Sequence, residues 1–139
     1  VFKGVLSILL AKLFFLNDTW QVAAGLSALI GHIWPIWLNW KGGKAVATGL
    51  GIFLGLSWQV GLSTFGVFLL MIGVFRIVSL ASVSASLSLP LIMLISFKTS
   101  TFSLPYLTIS VLAMALVIWR HRENIIRLIN GKEPKLGQS

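Results

Sequence analysis

The sequence predicts an all-α polytopic membrane protein with six transmembrane helices and a C-terminal interfacial helix. Three observations carry this reading. Of 139 residues, 57% are hydrophobic and only 10% are charged, against roughly 25% in a soluble domain. A water-soluble globule of this length cannot hide so much apolar surface, and the chain is too apolar for disorder. The apolar residues fall in long runs with Lys and Arg at their edges, the pattern of loops on one side of a bilayer. The net charge of +8 therefore reports membrane topology, not nucleic-acid binding. Six Trp and nine Phe against one Tyr suit a chain with interfacial anchors. The absence of Cys excludes disulfides, thiol catalysis and thiolate metal sites, and three acidic residues with two His leave little to build a metal centre from. No metal or cofactor is expected.

The apolar runs cover residues 5–16, 20–38, 45–75, 77–97 and 102–119. A helical span needs about 20 residues. Residues 20–38, 77–97 and 102–119 each fit one span, and residues 1–16 make another with Lys3 snorkelling at its start. The 31 uncharged residues 45–75 are, at about 1.5 Å rise per residue, too long for one span and short for two. A break at Ser57-Trp58-Gln59, with Gly61 beyond, gives a tight helical hairpin. The basic residues choose between the readings. With six spans, Lys3, Lys41, Lys44, Arg76, Arg120, Arg122, Arg127, Lys132 and Lys135 share one face and Lys12 and Lys98 the other, nine against two. A single long span gives seven against four. The positive-inside rule selects the hairpin and places both ends of this chain in the cytoplasm. Beyond residue 119, apolar Ile125, Ile126, Leu128 and Ile129 alternate with charged Arg122, Glu123 and Arg127. This reads as an interfacial helix stopped at Gly131, with Glu123 and Arg127 spaced to pair.

Chemistry concentrates on the cytoplasmic side. Around Lys41-Gly42-Gly43-Lys44, two glycines allow a tight turn with exposed N–H groups, two lysines flank it, and a span follows at once. The first N–H groups of that span would point into the loop, an arrangement that binds phosphate. A plain connector with topogenic lysines has the same spacing. Arg76 is followed by Ser79, Ser82 and Ser86 on one helical face. The stripe suits either a polar path from the surface or ordinary helix packing. His121 and Asn124 also share a face. No predicted span contains Asp or Glu, which argues against a proton-coupled carboxylate relay. The HxxxxD pair of soluble-domain acyltransferases, the GxSxG elbow and HExxH are all missing.

Three motifs in order carry a family resemblance. Gly31-His32-x-x-Pro35 … Lys41-Gly42-Gly43-Lys44-x-Val46-Ala47-Thr48 resembles the GHxFP…KGGKGVAT motif of the PlsY-type glycerol-3-phosphate acyltransferases. Arg76-Ile77-Val78-Ser79-Leu80-Ala81-Ser82 resembles their RxxSLAS motif. The C-terminal His121-Arg122-x-Asn124-Ile125-x-Arg127-Leu128 … Gly131-x-Glu133-x-Lys135-x-Gly137 resembles HRxNIxRLxxGxExKxG. The resemblance runs the length of the chain. It departs at Ala45, where the family usually has Gly. It also departs in lacking the family's first span and its polar RxxGSGNxGATN loop. The expectation is thus a single membrane-embedded acyltransferase domain over residues 1–139, without that span and loop, where the family has seven spans.

The resemblance implies acyl transfer from acyl phosphate to the 1-hydroxyl of glycerol 3-phosphate, giving lysophosphatidate and phosphate for phospholipid synthesis in a bacterial cytoplasmic membrane. It implies membrane lipids as surroundings and contact with the enzyme that makes acyl phosphate. Under it, Ser79, His121 and Asn124 are the catalytic candidates. Lys41, Gly42, Gly43, Lys44, Arg76, Ser82 and Arg122 are the substrate-binding candidates. The residues themselves fit this chemistry. A cationic loop at the interface suits phosphate substrates, and an activated mixed anhydride needs no enzyme nucleophile, only positioning and charge neutralisation. The proton acceptor is either His121 or a substrate phosphate oxygen. Two other classes share the same features: a non-catalytic protein binding anionic lipid, and a carrier of small phosphate compounds.

Overall fold

The computed structural model describes residues 1–35, 43–96, 98 and 103–137. Among these the regular structure is entirely α-helical: α1 Phe2–Leu13, α2 Asp18–Ile33, α3 Val46–Leu56, α4 Trp58–Phe75, α5 Val78–Ser96, α6 Leu104–Arg120 and α7 Arg122–Ile129. Local chemistry sets the boundaries. The Asn17 side chain accepts a hydrogen bond from the Trp20 N–H and caps α2. That helix stops at Ile33, two residues before Pro35, because a residue preceding proline is pushed out of the helical region. The long apolar run does break at Ser57, which is extended at φ −147°. Lone Pro90 inside α5 is tolerated, as in many membrane helices.

Two helices, α4 and α5, are long and apolar enough to cross a membrane, and the pair α6–α7, bent by 62°, makes a third if it counts as one span. Helices α1, α2 and α3 have 12, 16 and 11 residues, short of the roughly 20 that a full crossing needs. The six helices and the hairpin break thus stand where expected, while six full-length spans do not follow from helix length.

All six long helices feed one core, which includes Ile8, Leu29, Ile52, Phe53, Val60, Met93 and Ile109. On α4 the large residues Trp58, Leu62, Leu69, Leu70, Val74 and Phe75 face outward, a surface suited to hydrocarbon and not to water. Small residues let α1 and α3 touch closely. A side chain at Gly4 would collide with the backbone of α3 at Thr48 and Ile52, and one at Gly55 with Ile8.

The two ends of the bundle differ. At one end Lys12 Nζ donates to the carbonyls of Gly55 (2.6 Å) and Leu56 (3.3 Å), orphan acceptors at the C-terminus of α3. There too, Ser103 Oγ donates to Asp18 (2.7 Å) and the Tyr106 hydroxyl to Gln21 (2.7 Å). Exposed Trp20 and Trp58 open α2 and α4 at this end. At the other end lie Lys44, Arg76, Arg120 and helix α7 with its basic residues. Trp119 stacks near Trp34 at 5.5 Å and carries the Arg122 guanidinium 5.0 Å above its ring.

Among the described residues at this second end, two that are not glycine have left-handed backbones. Arg76 (φ +56°) terminates α4, so it precedes the serine helix instead of starting it as expected. Ala45 (φ +64°) is the N-cap of α3 and is buried. The left-handed region costs a non-glycine residue about 1–2 kcal/mol. Glycine there relieves the strain but loses part of the gain to chain entropy. Ala45→Gly is therefore expected to raise stability by about 0.5–1 kcal/mol, read as a higher melting temperature in detergent. A lower melting temperature would show that the position is not strained.

Candidate functional site

A cavity of about 860 Å³ opens at the basic end, at the upper end of the roughly 300–1,000 Å³ of ligand pockets. Its mouth is polar: Lys44, Ser79, His121, Asn124 and Glu133. Its depth is apolar, with Phe53, Phe65, Phe68, Leu89 and Val117. The N-terminus of α3, which no side chain caps, borders it through Ala45, Val46 and Ala47, so a helix dipole and unmet N–H groups face the mouth.

A chain of contacts crosses this mouth. Lys44 Nζ donates to Asn124 Oδ1 at 2.7 Å. Asn124 Nδ2 donates to Glu133 Oε1 at 2.6 Å, and Arg127 Nε to Glu133 Oε2 at 2.7 Å. Two helices and the C-terminal segment are thereby joined, since Lys44 precedes α3, Asn124 and Arg127 lie on α7, and Glu133 follows it. Gly131, at φ +65°, turns the chain so that the segment after α7 returns across the mouth. The Leu136 N–H donates to the Arg76 carbonyl at 2.6 Å, which ties that segment to the α4–α5 turn. The Glu133 side chain is only 6% exposed. Burial alone would raise its pKa. Hydrogen bonds from Asn124 and Arg127, with the Arg127 charge, outweigh that and hold it down at about 2. Arg127 was expected to pair with Glu123. It pairs with Glu133 instead, while Glu123 lies 4.0 Å from Arg122, because the return at Gly131 delivers a carboxylate that Asn124 also fixes.

His121 is 2% exposed and caps the end of α6. Its Nδ1 lies 2.8 Å from the Val117 carbonyl. A carbonyl only accepts, so Nδ1 carries the hydrogen and Nε2 keeps a lone pair. Burial, assisted by the charges of Lys44 and Arg120, lowers the pKa of this imidazole. Ser79 is buried in the first turn of α5, and its hydroxyl has no hydrogen-bond partner among the described residues. Ser82 lines the cavity one turn deeper with its hydroxyl donated to the Val78 carbonyl at 2.9 Å.

The remaining expected residues fall outside the cavity wall. Gly43 sits beside it. A side chain there would collide with the His32 ring, and the Gly43 carbonyl accepts from Arg120 Nε at 3.3 Å. Arg76, at the α4–α5 turn, touches Leu136 and Gly137 of the lining, and Arg122, on α7, lies over the Trp119 ring. Lys41 and Gly42 lie outside the described residues. Two residues escaped sequence reasoning. Glu133 stood only as a letter in the third motif, although Gly131 two residues earlier signals a chain reversal. Thr64, in the cavity wall, gave no signal at all.

Chemically, the mouth offers the Lys44 ammonium group, with Lys135 also in the lining, an imidazole whose neutral form burial favours, an amide, an unpaired hydroxyl and a helix N-terminus, all above an apolar chamber. This set suits an anion carried on a long apolar tail.

Comparison with known proteins agrees. The profile of the glycerol-3-phosphate acyltransferase family matches residues 1–131. A glycerol-3-phosphate acyltransferase of Prochlorococcus marinus strain NATL2A is 79% identical over 99% of this chain and 70% of its own length. One from Parasynechococcus marenigrum is 60% identical over 98% of this chain and 62% of its own. Crystal structures of PlsY, an integral membrane glycerol 3-phosphate acyltransferase, superpose at 35% identity. The glycerol 3-phosphate form has a TM-score of 0.85 and covers 94% of this chain. The lysophosphatidic acid form has a TM-score of 0.87 and covers 96%. The chain spans 64% and 67% of the length of those two structures.

Proposed function

Because the chain belongs to the glycerol-3-phosphate acyltransferase family of integral membrane enzymes, we propose that it carries the site that transfers a fatty acyl chain from acyl phosphate to the 1-hydroxyl of glycerol 3-phosphate. The observation that carries this reading is the Lys44–Asn124–Glu133–Arg127 chain of contacts beside the unpaired Ser79 hydroxyl, at the mouth of an apolar cavity. Residues 1–139 form one membrane-embedded domain. Its six helices α1–α6 lie within the bilayer, and the basic end faces the cytoplasm.

Each group has a role in this scheme. Lys44 and the α3 N-terminus neutralise a substrate phosphate, with Lys41, Gly42 and Gly43 supplying the loop that precedes it. Arg76 and Arg122 add positive potential at the rim. Ser79 donates to the phosphate or to the acyl carbonyl. Asn124, held by its two neighbours, and His121 orient glycerol 3-phosphate, and Ser82 supports the wall beside Ser79. The acyl chain lies in the apolar chamber. The attacking hydroxyl forms the ester bond as the carbonyl–phosphate bond breaks, and the hydroxyl proton ends on the released phosphate. His121 Nε2 is free to accept the hydroxyl hydrogen on the way. Positioning and charge neutralisation supply the rate.

The test is reconstituted protein supplied with glycerol 3-phosphate and acyl phosphate or acyl-CoA. Lysophosphatidate from acyl phosphate alone is expected, and equal or faster turnover of acyl-CoA would overturn the donor. Because burial favours the neutral imidazole of His121, activity should persist as pH falls to 6.5, the ordinary histidine value, and decline below it. His121→Gln should remove that acid limb along with most of the rate.

A further inference from the structure

Seven hydroxyls along the helices of this bundle share one habit. Ser7, Ser27, Ser82, Ser86, Ser88, Thr108 and Ser110 each donate to a carbonyl three or four residues back, the usual fate of a hydroxyl that water cannot reach. Two buried hydroxyls have no partner among the described residues: Ser79 and Thr64. Both line the same cavity. Ser79 belongs to the polar mouth. Thr64 is on α4, is 7% exposed, and lies in the apolar part with Phe65 and Phe68.

The depth of Thr64 follows from the helices. Helices α4 and α5 meet at the turn around Arg76 and pack along each other. Thr64 is twelve residues before that turn and Ser79 three after it. At 1.5 Å per residue their levels differ by roughly 14 Å, about the length of eleven extended methylene groups. An acyl chain whose carbonyl sits at Ser79 and whose tail follows the apolar wall therefore reaches Thr64 near its twelfth carbon.

We propose that Thr64 is a specificity-determining residue for acyl-chain length, and this rests on the reading of the cavity as an acyl-phosphate site. In the structure the Thr64 hydroxyl is shut off from water, and a chain that ends before Thr64 leaves it room to turn into the cavity and bond a water molecule. A longer saturated chain seals the hydroxyl against methylene groups that offer no acceptor, or drives it into another rotamer. Each added carbon normally improves binding by burying apolar surface. Thr64 interrupts that gain at its own level, so the enzyme discriminates against chains that pass it.

Two measurements test this on the purified protein in lipid. The first is kcat/KM with glycerol 3-phosphate for saturated acyl phosphates of 10 to 18 carbons. The second is the rise in melting temperature caused by lysophosphatidates of the same lengths, which needs no turnover. Wild type should show the gain per carbon falling off at about 12 carbons. Thr64→Val, which keeps the shape and removes the hydroxyl, should raise the preference for 16 over 10 carbons by about fivefold. Thr64→Ser, which keeps the hydroxyl, should retain the break. The same length profile in wild type and Thr64→Val, in either measurement, would overturn the assignment. If acyl phosphates fail as donors but the lysophosphatidate series shows the break and its loss in Thr64→Val, the donor reading fails and Thr64 stands.

Discussion

Replacing Lys44 with Ala or Met is expected to lower kcat/KM at least tenfold while the protein still folds. The ammonium reaches the cavity mouth and is held there by Asn124 at 2.7 Å. A charge-assisted hydrogen bond is worth about 1.5–3 kcal/mol, or roughly ten- to 150-fold in rate. Mechanism separates the two kinetic constants. If Lys44 holds the phosphate of bound glycerol 3-phosphate equally before and during reaction, its loss raises KM. If it neutralises charge that grows on the leaving phosphate, its loss lowers kcat. Lys44→Arg restores charge but not shape, because the planar fork cannot occupy the space of a compact ammonium against one amide oxygen. Partial rescue is therefore expected. Wild-type constants in Lys44→Ala, with an unchanged melting curve, would leave the loop a mere connector.

Replacing Glu133 has the second large effect, and it acts through other residues. Its two oxygens accept from Asn124 and Arg127. Glu133→Ala leaves the buried Asn124 amide without an acceptor and releases Arg127. A loss of about 1.5–3 kcal/mol in stability follows from the hydrogen bonds to a charged group, together with a fall in kcat as Asn124 loses its orientation. Glu133→Gln tests charge against shape. One amide oxygen can still accept from Asn124, but the amide nitrogen then faces the Arg127 donor. Its effect should lie between wild type and Glu133→Ala. The pH dependence follows from the direction of the shift. The carboxyl is held at about 2, below its ordinary 4.5, so its contribution is complete above pH 4.5 and is lost as pH falls toward 2. Between pH 7 and pH 5 the melting temperature of Glu133→Ala should stay below that of wild type by a constant amount. A difference that vanishes within that range would place the carboxyl elsewhere.

Much of the architecture could be read in the sequence because membrane helices announce themselves by apolar length and their ends by polar residues. The break at Ser57 and the turn at Gly131 were legible from local chemistry, whereas residues 20–38 read as one span and α2 stops at Ile33, before Pro35. Helix length was not legible. An apolar run does not reveal where its helix starts, so α1, with 12 residues, is shorter than the span expected over residues 1–16, and α3 takes only 11 residues of the run 45–75. Spacing put His121 and Asn124 on one face, and only the family resemblance joined Ser79 to them as a candidate set; the three line one cavity. The partner of Arg127 was not legible, since choosing Glu133 over Glu123 depends on a chain reversal that brings distant residues together. Arg76 was read with the helix that follows it but ends α4, because nothing local marks a non-glycine residue for a left-handed backbone. Thr64 was illegible because its significance lies in a hydrogen bond it does not make.

The contact of Lys12 with the end of α3 bears on how the protein is made. A chain enters the membrane in the order of its synthesis. Lys12 emerges with α1, but the carbonyls that receive its ammonium, at Gly55 and Leu56, lie 43 and 44 residues later. For that interval the charge must stay in the interfacial water or beside the insertion machinery, because an unpaired ammonium in hydrocarbon is costly. The ammonium of Lys12 therefore finds its carbonyl partners only once α3 has been made, with α2 already between them. The close approaches at Gly4 and Gly55, which also join α1 to α3, wait for the same stretch of chain.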